Sequence, residues 1–190
     1  MEPVLLSTLV VALAEIGDRT QLLAIVLTAR FGKPWPVLAG ILVATAANHT
    51  LTAAAGYLLA GLLRGPWLDW VLAISFFVTA AWMLIPDKAD AQEHHASRFD
   101  VFLTTAIAFF IVEIGDKTQI ATLSLAARFH DIFRVSAGTT LGMMIANVPA
   151  VLVGEAAVKV APLRLIRLVS AGVFAALGVW TLLAAVRGGG

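Results

Sequence analysis

The stretch LAEIGDRTQLLA, from Leu13 to Ala24, places three charged side chains inside an otherwise apolar run. They are Glu15, Asp18 and Arg19. The same pattern, with Lys in place of Arg, returns in IVEIGDKTQIAT, from Ile111 to Thr122. A charged side chain at the centre of a membrane helix costs roughly 2.5–3.5 kcal/mol by insertion scales. Because each copy of this charged pattern carries that cost, the pattern indicates a function. Its duplication indicates that the chain contains two related halves.

The composition is that of an integral membrane protein. Of the 190 residues, 60% are hydrophobic and only 13% are charged, against about a quarter charged in soluble domains. The net charge of +1 and the lack of a basic run argue against a nucleic-acid partner. The chain has no cysteine, which excludes disulfides and thiolate metal ligands. Met1-Glu2-Pro3 is not the basic start of a signal peptide, so we expect the first apolar run to be a retained transmembrane helix.

Six apolar segments have the length of a membrane span. A bilayer core of about 30 Å needs about 20 apolar residues in a helix. Several segments exceed this length, which favours tilt or a break in the helix. The predicted spans are Val4–Ala29, Pro36–Leu63, Trp67–Ile85, Val101–Ala127, Phe133–Val158 and Leu163–Val186.

The chain repeats itself with an offset of 98 residues. This offset superimposes the two charged motifs and also the ARF triplets at Ala29–Phe31 and Ala127–Phe129, while Asn48 and Asn147 correspond with a slip of one residue. A unit of three crossings begins and ends on opposite sides of the membrane, so its second copy must be inverted. We therefore predict an all-α integral membrane protein with six transmembrane helices in two inverted three-helix repeats. The first repeat is residues 1–85, a polar linker loop is 86–100, and the second repeat is 101–187. Inverted repeats place their binding site near the midplane, where the two motifs would meet.

Lysine and arginine in the loops predict the orientation. The side with the central loop carries seven: Arg30, Lys33, Lys88, Arg98, Lys159, Arg164 and Arg167. The other side carries four: Arg64, Arg128, Arg134 and Arg187. This bias predicts a cytoplasmic central loop and termini outside.

Within a continuous helix, each motif would satisfy part of its own charge. Glu15 and Arg19 are four residues apart, as are Glu113 and Lys117, the spacing of an intrahelical ion pair. Asp18 and Asp116 would lie on nearly the same face as the glutamates. Gly17 and Gly115 would let two helices approach closely in lipid.

The charges of the two motifs do not cancel. Two Glu and two Asp stand against one Arg and one Lys, which leaves two excess negative charges. Desolvation and a neighbouring negative charge both favour protonation of a carboxylate. One divalent cation or two protons would therefore neutralise such a site, and that equivalence is the minimal requirement for a metal/proton exchanger.

The candidate ligands are all oxygen donors. The carboxylates of Glu15, Asp18, Glu113 and Asp116 are the candidate metal ligands. Oxygen donors favour Ca²⁺, Mn²⁺ or Mg²⁺ over copper or zinc. Arg19 and Lys117 would compensate charge or replace the cation when the site empties. Six uncharged side chains would support the site or bond between helices instead: Thr20, Thr118, Gln21, Gln119, Asn48 and Asn147.

With EIGDRT at Glu15–Thr20 and EIGDKT at Glu113–Thr118, the chain resembles the Gdt-type cation/proton exchangers. That family includes MneA-type bacterial manganese exporters and manganese/calcium transporters of the Golgi and chloroplast. The resemblance covers essentially the whole chain and implies that Mn²⁺ or Ca²⁺ is exchanged for protons, as substrate rather than cofactor. It implies that Glu15, Asp18, Glu113 and Asp116 bind the cation. It also implies a bacterial inner membrane and a task of Mn²⁺ efflux.

Two other transport functions stay open. The first is an exporter of cationic amino acids, since an acidic site would bind their ammonium groups, although an organic substrate needs a larger pocket. The second is a cation channel, in which rings of Asp or Glu select the ion. The sequence contains no H-E-x-x-H, G-x-S-x-G or phosphate-binding glycine loop, so we expect no enzyme. The expected partners are a divalent cation, protons and the lipid bilayer, and the sequence leaves open whether copies form a homo-oligomer.

Overall fold

The computed structural model describes residues 2–62, 66–84, 101–153 and 163–188. Within these ranges the regular structure is entirely helical. The predicted linker, Pro86–Asp100, lies outside the described residues. The eight described helices are α1 (Glu2–Glu15), α2 (Arg19–Phe31), α3 (Pro34–Leu62), α4 (Pro66–Met83), α5 (Val101–Glu113), α6 (Lys117–Phe129), α7 (Ile132–Val153) and α8 (Leu163–Gly188).

Two of the predicted spans, Val4–Ala29 and Val101–Ala127, contain a helix break, which the excess length of several spans favoured without locating it. Each of these segments forms two helices, α1 with α2 and α5 with α6, and each break falls inside the charged motif. The other four segments form one helix each. Most of their described ends lie within two residues of the predicted ones, but the predicted end at Val158 lies outside the described residues.

Three helical segments of the described chain are long and apolar enough to cross a bilayer. They are Pro34–Leu62, Ile132–Val153 and Leu168–Arg187. Two shorter apolar helices, Trp67–Trp82 and Val101–Glu113, accompany them. Large apolar side chains cover much of the outer surface, among them Leu51, Leu58 and Leu62, which are more than half exposed. An outer surface of this kind fits a hydrocarbon environment.

The helices of one half pack mainly on helices of the other half, an arrangement that we call the exchanged packing. Helix α1 packs mainly on α7, and α3 packs mainly on α5, while α4 packs on α8. One apolar core cluster, around Phe76, Leu125 and Phe174, contains buried residues of α1, α3, α4, α6, α7 and α8. A second joins α2, α3, α5 and α7 around Ile41 and Phe109. The hydrophobic core therefore belongs to both halves together.

Small residues allow the exchanged helices to touch. A Cβ at Gly40 of α3 would lie 2.7 Å from the Phe102 carbonyl oxygen of α5, and one at Gly138 of α7 would lie 2.6 Å from the Val4 carbonyl oxygen of α1. Both the glycines and their contacts are related by the sequence offset of 98 residues. Close backbone approach through small residues is the usual way that helices associate in lipid.

Gly56→Ala is expected to destabilise the protein by about 3 kcal/mol, because the new methyl would overlap the backbone of Leu123 on α6, which cannot move aside as a side chain would. Gly61→Ala, on the same helix, meets nothing within 4 Å and should stabilise by up to about 1 kcal/mol through helix propensity. Thermal denaturation of the two detergent-solubilised variants, followed by size-exclusion chromatography, measures the difference. Equal stabilities would contradict the packing of α3 on α6.

Candidate cation site

Each charged motif is a helix break built from three residue types. Glu15 is the last residue of α1, Gly17 adopts a φ of 81°, and Asp18 caps the first turn of α2 by accepting a 2.7 Å hydrogen bond from the Arg19 amide. The left-handed conformation is cheap only for glycine, and aspartate is among the best N-cap residues. The sequence therefore specifies a helix end, a turn and a new helix start within four residues.

The second motif repeats this geometry. Glu113 ends α5, Gly115 has a φ of 78°, and Asp116 caps α6. The Asp116 Oδ2 accepts hydrogen bonds from the Thr118 amide at 3.2 Å and the Thr118 hydroxyl at 3.0 Å. A Cβ added at Gly115 would meet nothing within 4 Å, so the predicted role of this glycine in close helix approach is wrong. Its role is the backbone turn.

The two glutamines of the motifs close the breaks. The Gln21 Oε1 accepts a 2.9 Å hydrogen bond from the Gly17 amide, and the Gln119 Oε1 accepts one of 2.8 Å from the Gly115 amide. Asp followed by Gln three residues later is the sequence signature of a capping box at a helix start. The length of the spans favoured a break without locating it, although D-R-T-Q and D-K-T-Q carry the signal of a new helix start at Asp18 and Asp116.

The basic residue of each motif pairs with the aspartate of the other motif. The Lys117 Nζ lies 3.0 Å from the Asp18 Oδ2, and the Arg19 Nη2 lies 3.6 Å from the Asp116 Oδ1. The predicted ion pairs within one helix, Glu15 with Arg19 and Glu113 with Lys117, are therefore wrong. Each helix ends at its glutamate, so the spacing of four residues no longer places the pair on one face.

The two crosswise pairs differ in environment. The Lys117 side chain is 6% exposed, whereas the Arg19 side chain is 41% exposed and also donates a 3.2 Å hydrogen bond to the Val112 carbonyl. Both aspartates are buried. A buried ion pair at short distance interacts strongly, and a half-exposed one is weakened by solvent.

Three carboxylates converge between the two breaks. One oxygen atom each of Glu15, Asp18 and Asp116 lies within 4.8 Å of the other two, and all three side chains are buried. Two ligands on opposite sides of one ion lie at most about twice the bond length apart, about 4–5 Å for an oxygen-bound divalent ion. The cluster has the dimensions of a single-ion site.

The fourth motif acid, Glu113, lies in a separate hydrogen-bond network. Its Oε1 accepts from the Thr45 hydroxyl at 2.7 Å and its Oε2 from the Asn48 amide at 3.3 Å. The Asn48 side-chain oxygen in turn accepts from the Gln119 amide nitrogen. Sequence reasoning named Asn48 but missed Thr45, although the two lie three residues apart on α3 and so share a helix face.

The remaining candidate residues lie in different surroundings. Thr20 is fully buried and its hydroxyl has no hydrogen-bond partner among the described residues. The Gln21 side-chain nitrogen donates to the Ala146 carbonyl at 2.8 Å. The Asn147 side-chain nitrogen donates to the Met143 carbonyl at 3.0 Å, and its buried Oδ1 has no partner in the described part of the chain.

Long apolar helices with buried acids between them are typical of membrane transport proteins. The sequence profile of the family described as divalent cation/proton antiporter GDT1 matches residues 3–91 and 101–189. The chain belongs to this family. It is an integral membrane protein, and the predictions of a transporter rather than an enzyme, with the metal as cargo rather than cofactor, are confirmed.

Two relatives show how far the similarity extends. A protein of Vibrio cholerae serotype O1, named as a candidate manganese exporter, is 50% identical over 175 residues, which are 92% of this chain and 87% of that protein. A GDT1-like protein of Synechocystis is 27% identical over 168 residues, 77% of this chain and 80% of its own length. No solved structure matches the chain.

Proposed function

We propose that the protein exports Mn²⁺ in exchange for protons, with Ca²⁺ as the second candidate cation. The observation that carries the proposal is the convergence of the buried Glu15, Asp18 and Asp116 oxygens within 4.8 Å. Buried acids inside a membrane protein usually mark an ion or proton pathway. The name of the Vibrio relative supports manganese, and the family description supports proton exchange.

The motif acids, Glu15, Asp18, Glu113 and Asp116, are the residues that we assign to the cation site and its surroundings. Their oxygen chemistry favours Mn²⁺ or Ca²⁺ over softer metals. The excess negative charge of the two motifs accepts either a divalent cation or protons, which is the basis of exchange. The hydrogen bonds that Gln21 and Gln119 accept from the Gly17 and Gly115 amides stabilise the turns at the two breaks, so that neither motif forms a continuous helix.

We assign the chain six membrane spans in two inverted repeats, residues 1–85 and 101–187, joined by the linker 86–100. Each broken pair, α1 with α2 and α5 with α6, would count as one span. The exchanged packing of α1 on α7 and α3 on α5 supports this arrangement, since it relates the halves by the sequence offset. In an inverted repeat, rocking of one half against the other exposes a midplane site to each side in turn.

The proposed orientation places the central linker in the cytoplasm and both termini outside, in a bacterial inner membrane. The loop bias of seven basic residues to four supports it. In this orientation, the downhill entry of protons would drive the outward movement of the cation.

Purified wild-type protein in proteoliposomes tests the proposal. With an imposed pH gradient, we expect saturable Mn²⁺ uptake into the compartment that loses protons, weaker Ca²⁺ uptake and no lysine uptake. Collapsing the gradient with a protonophore should stop accumulation. Non-saturable cation flux that ignores the gradient would indicate a channel, and lysine flux would indicate an amino-acid exporter.

A further inference from the structure

We propose that the two motif glutamates have different roles: Glu15 is a ligand to the divalent cation together with Asp18 and Asp116, whereas Glu113 is a positioning residue that fixes α3 against the second helix break. The inference rests on the proposed function, since it assumes that a divalent cation binds between the breaks. It assigns different roles to two residues that occupy the same position in the repeated motif.

The first argument is the contrast between the carboxylates. Both glutamates are fully buried at the end of a helix. Both Glu113 oxygens accept hydrogen bonds, from Thr45 and Asn48. Neither Glu15 oxygen has a hydrogen-bond partner among the described residues. A buried carboxylate without a hydrogen-bond partner is costly, and the Asp18 and Asp116 carboxylates beside it add negative charge, so Glu15 needs a positive counterpart.

The second argument is the origin of this contrast in the sequence. The offset of 98 residues that relates Gly40 to Gly138 relates Thr45 to Met143 and Asn48 to Ala146. A thioether and a methyl group cannot hold a carboxylate as a hydroxyl and an amide do. Asn147, one residue further, does not replace them, because its amide nitrogen bonds to Met143 on its own helix. At the positions equivalent to Thr45 and Asn48, α7 therefore offers no group that would hold Glu15.

The third argument is position. Glu15 contributes an oxygen to the three-residue group within 4.8 Å, whereas Glu113 is not a member of that group. The Glu113 network instead continues through Asn48 to Gln119, which closes the second break by accepting from the Gly115 amide. Glu113 therefore links α3 to the turn that places Asp116, and it acts on the cation through that placement.

Mn²⁺ binding to the purified full-length protein tests the division. We expect Glu15→Gln to raise the Kd for Mn²⁺ by at least about 30-fold, and the matched variant Glu113→Gln to raise it at least ten times less. Electron paramagnetic resonance of the bound ion should keep the wild-type line shape in Glu113→Gln, because the ligand set is unchanged. Equal losses in the two variants would overturn the division, and a larger loss in Glu113→Gln would reverse it.

Thermal denaturation without metal measures the stability of each variant and shows whether each variant is folded. Glu15→Gln should raise the denaturation temperature, since it removes a buried charge that lacks a hydrogen-bond partner. Glu113→Gln and Thr45→Val should lower it, since each disrupts the Thr45–Asn48 network. Lower temperatures in all three would overturn the contrast. If wild-type protein binds no Mn²⁺ or Ca²⁺, the proposed function fails, whereas binding with equal losses refutes the division alone.

Discussion

The Asp18→Asn/Asp116→Asn double variant is expected to lose proton-coupled Mn²⁺ transport by at least about 100-fold, which corresponds to about 2.7 kcal/mol. Each aspartate contributes an oxygen to the buried three-carboxylate group, and each also caps a helix. Asparagine is an equally good N-cap residue, so the substitution keeps the caps of both helices, but it also removes the carboxylate that pairs with the buried Lys117 ammonium. Transport is therefore compared at equal amounts of folded protein, measured by size-exclusion chromatography. Radioactive ⁵⁴Mn²⁺ uptake into proteoliposomes measures it.

Asp69 offers the matched control for this experiment. It also lies in an ion pair, with Arg128 at 3.8 Å, but its side chain is partly exposed and remote in sequence from both motifs. Asp69→Asn should retain transport within about twofold of wild type, since exposed pairs contribute about 0–1 kcal/mol. Transport that survives in the double variant would show that the motif acids are structural, and the proposed site would have to be abandoned.

Lys117→Met is expected to destabilise the metal-free protein by about 3–5 kcal/mol, the usual cost of removing one partner from a buried ion pair. Its ammonium lies 3.0 Å from the buried Asp18 carboxylate. The same variant should bind Mn²⁺ more tightly, because a bound cation no longer competes with the ammonium for Asp18. Stability without metal and affinity for metal would thus change in opposite directions.

Arg19→Met provides the comparison for the Lys117 variant, since the two side chains occupy equivalent positions and receive the same replacement. Arg19 is half exposed and lies 3.6 Å from Asp116, so its removal should cost at most about 1 kcal/mol. Thermal denaturation across a series of Mn²⁺ concentrations measures both effects. A lower Mn²⁺ affinity in Lys117→Met would show that the lysine assists the ion instead of competing with it.

The sequence predicted the helical class and the candidate acids because both leave direct signals. Long apolar runs predict membrane helices. Because Glu15 and Asp18 lie inside such a run, they predict buried charges with a function. The position of four of the helices followed from the same pattern. The family membership confirmed the interpretation as a cation transporter. Proton exchange, which charge counting at the two motifs favoured, stays a proposal.

The breaks were harder to predict because apolarity and helix propensity compete with local turn chemistry. Apolar residues continue on both sides of each motif, so apolarity alone does not locate a break, although capping chemistry favours a new helix start at Asp18. The ion pairs of Glu15 with Arg19 and of Glu113 with Lys117 were predicted incorrectly for the same reason, because a spacing of four residues places two side chains on one face only within one helix. Thr45 was missed because a lone threonine in a membrane helix gives no signal until its neighbour Glu113 is known.

The exchanged packing has a consequence for how the chain is made. The face of α3 around Gly40 finds its partner only in α5, and α1 finds its main partner only in α7. Asp18 likewise meets the ammonium of Lys117 only when the second half has arrived. During synthesis the first half therefore enters the bilayer before its main packing partners and the ammonium of Lys117 have been made. Membrane insertion and folding are separated in time, so the first half depends on lipid, water or chaperones until translation of the second is complete.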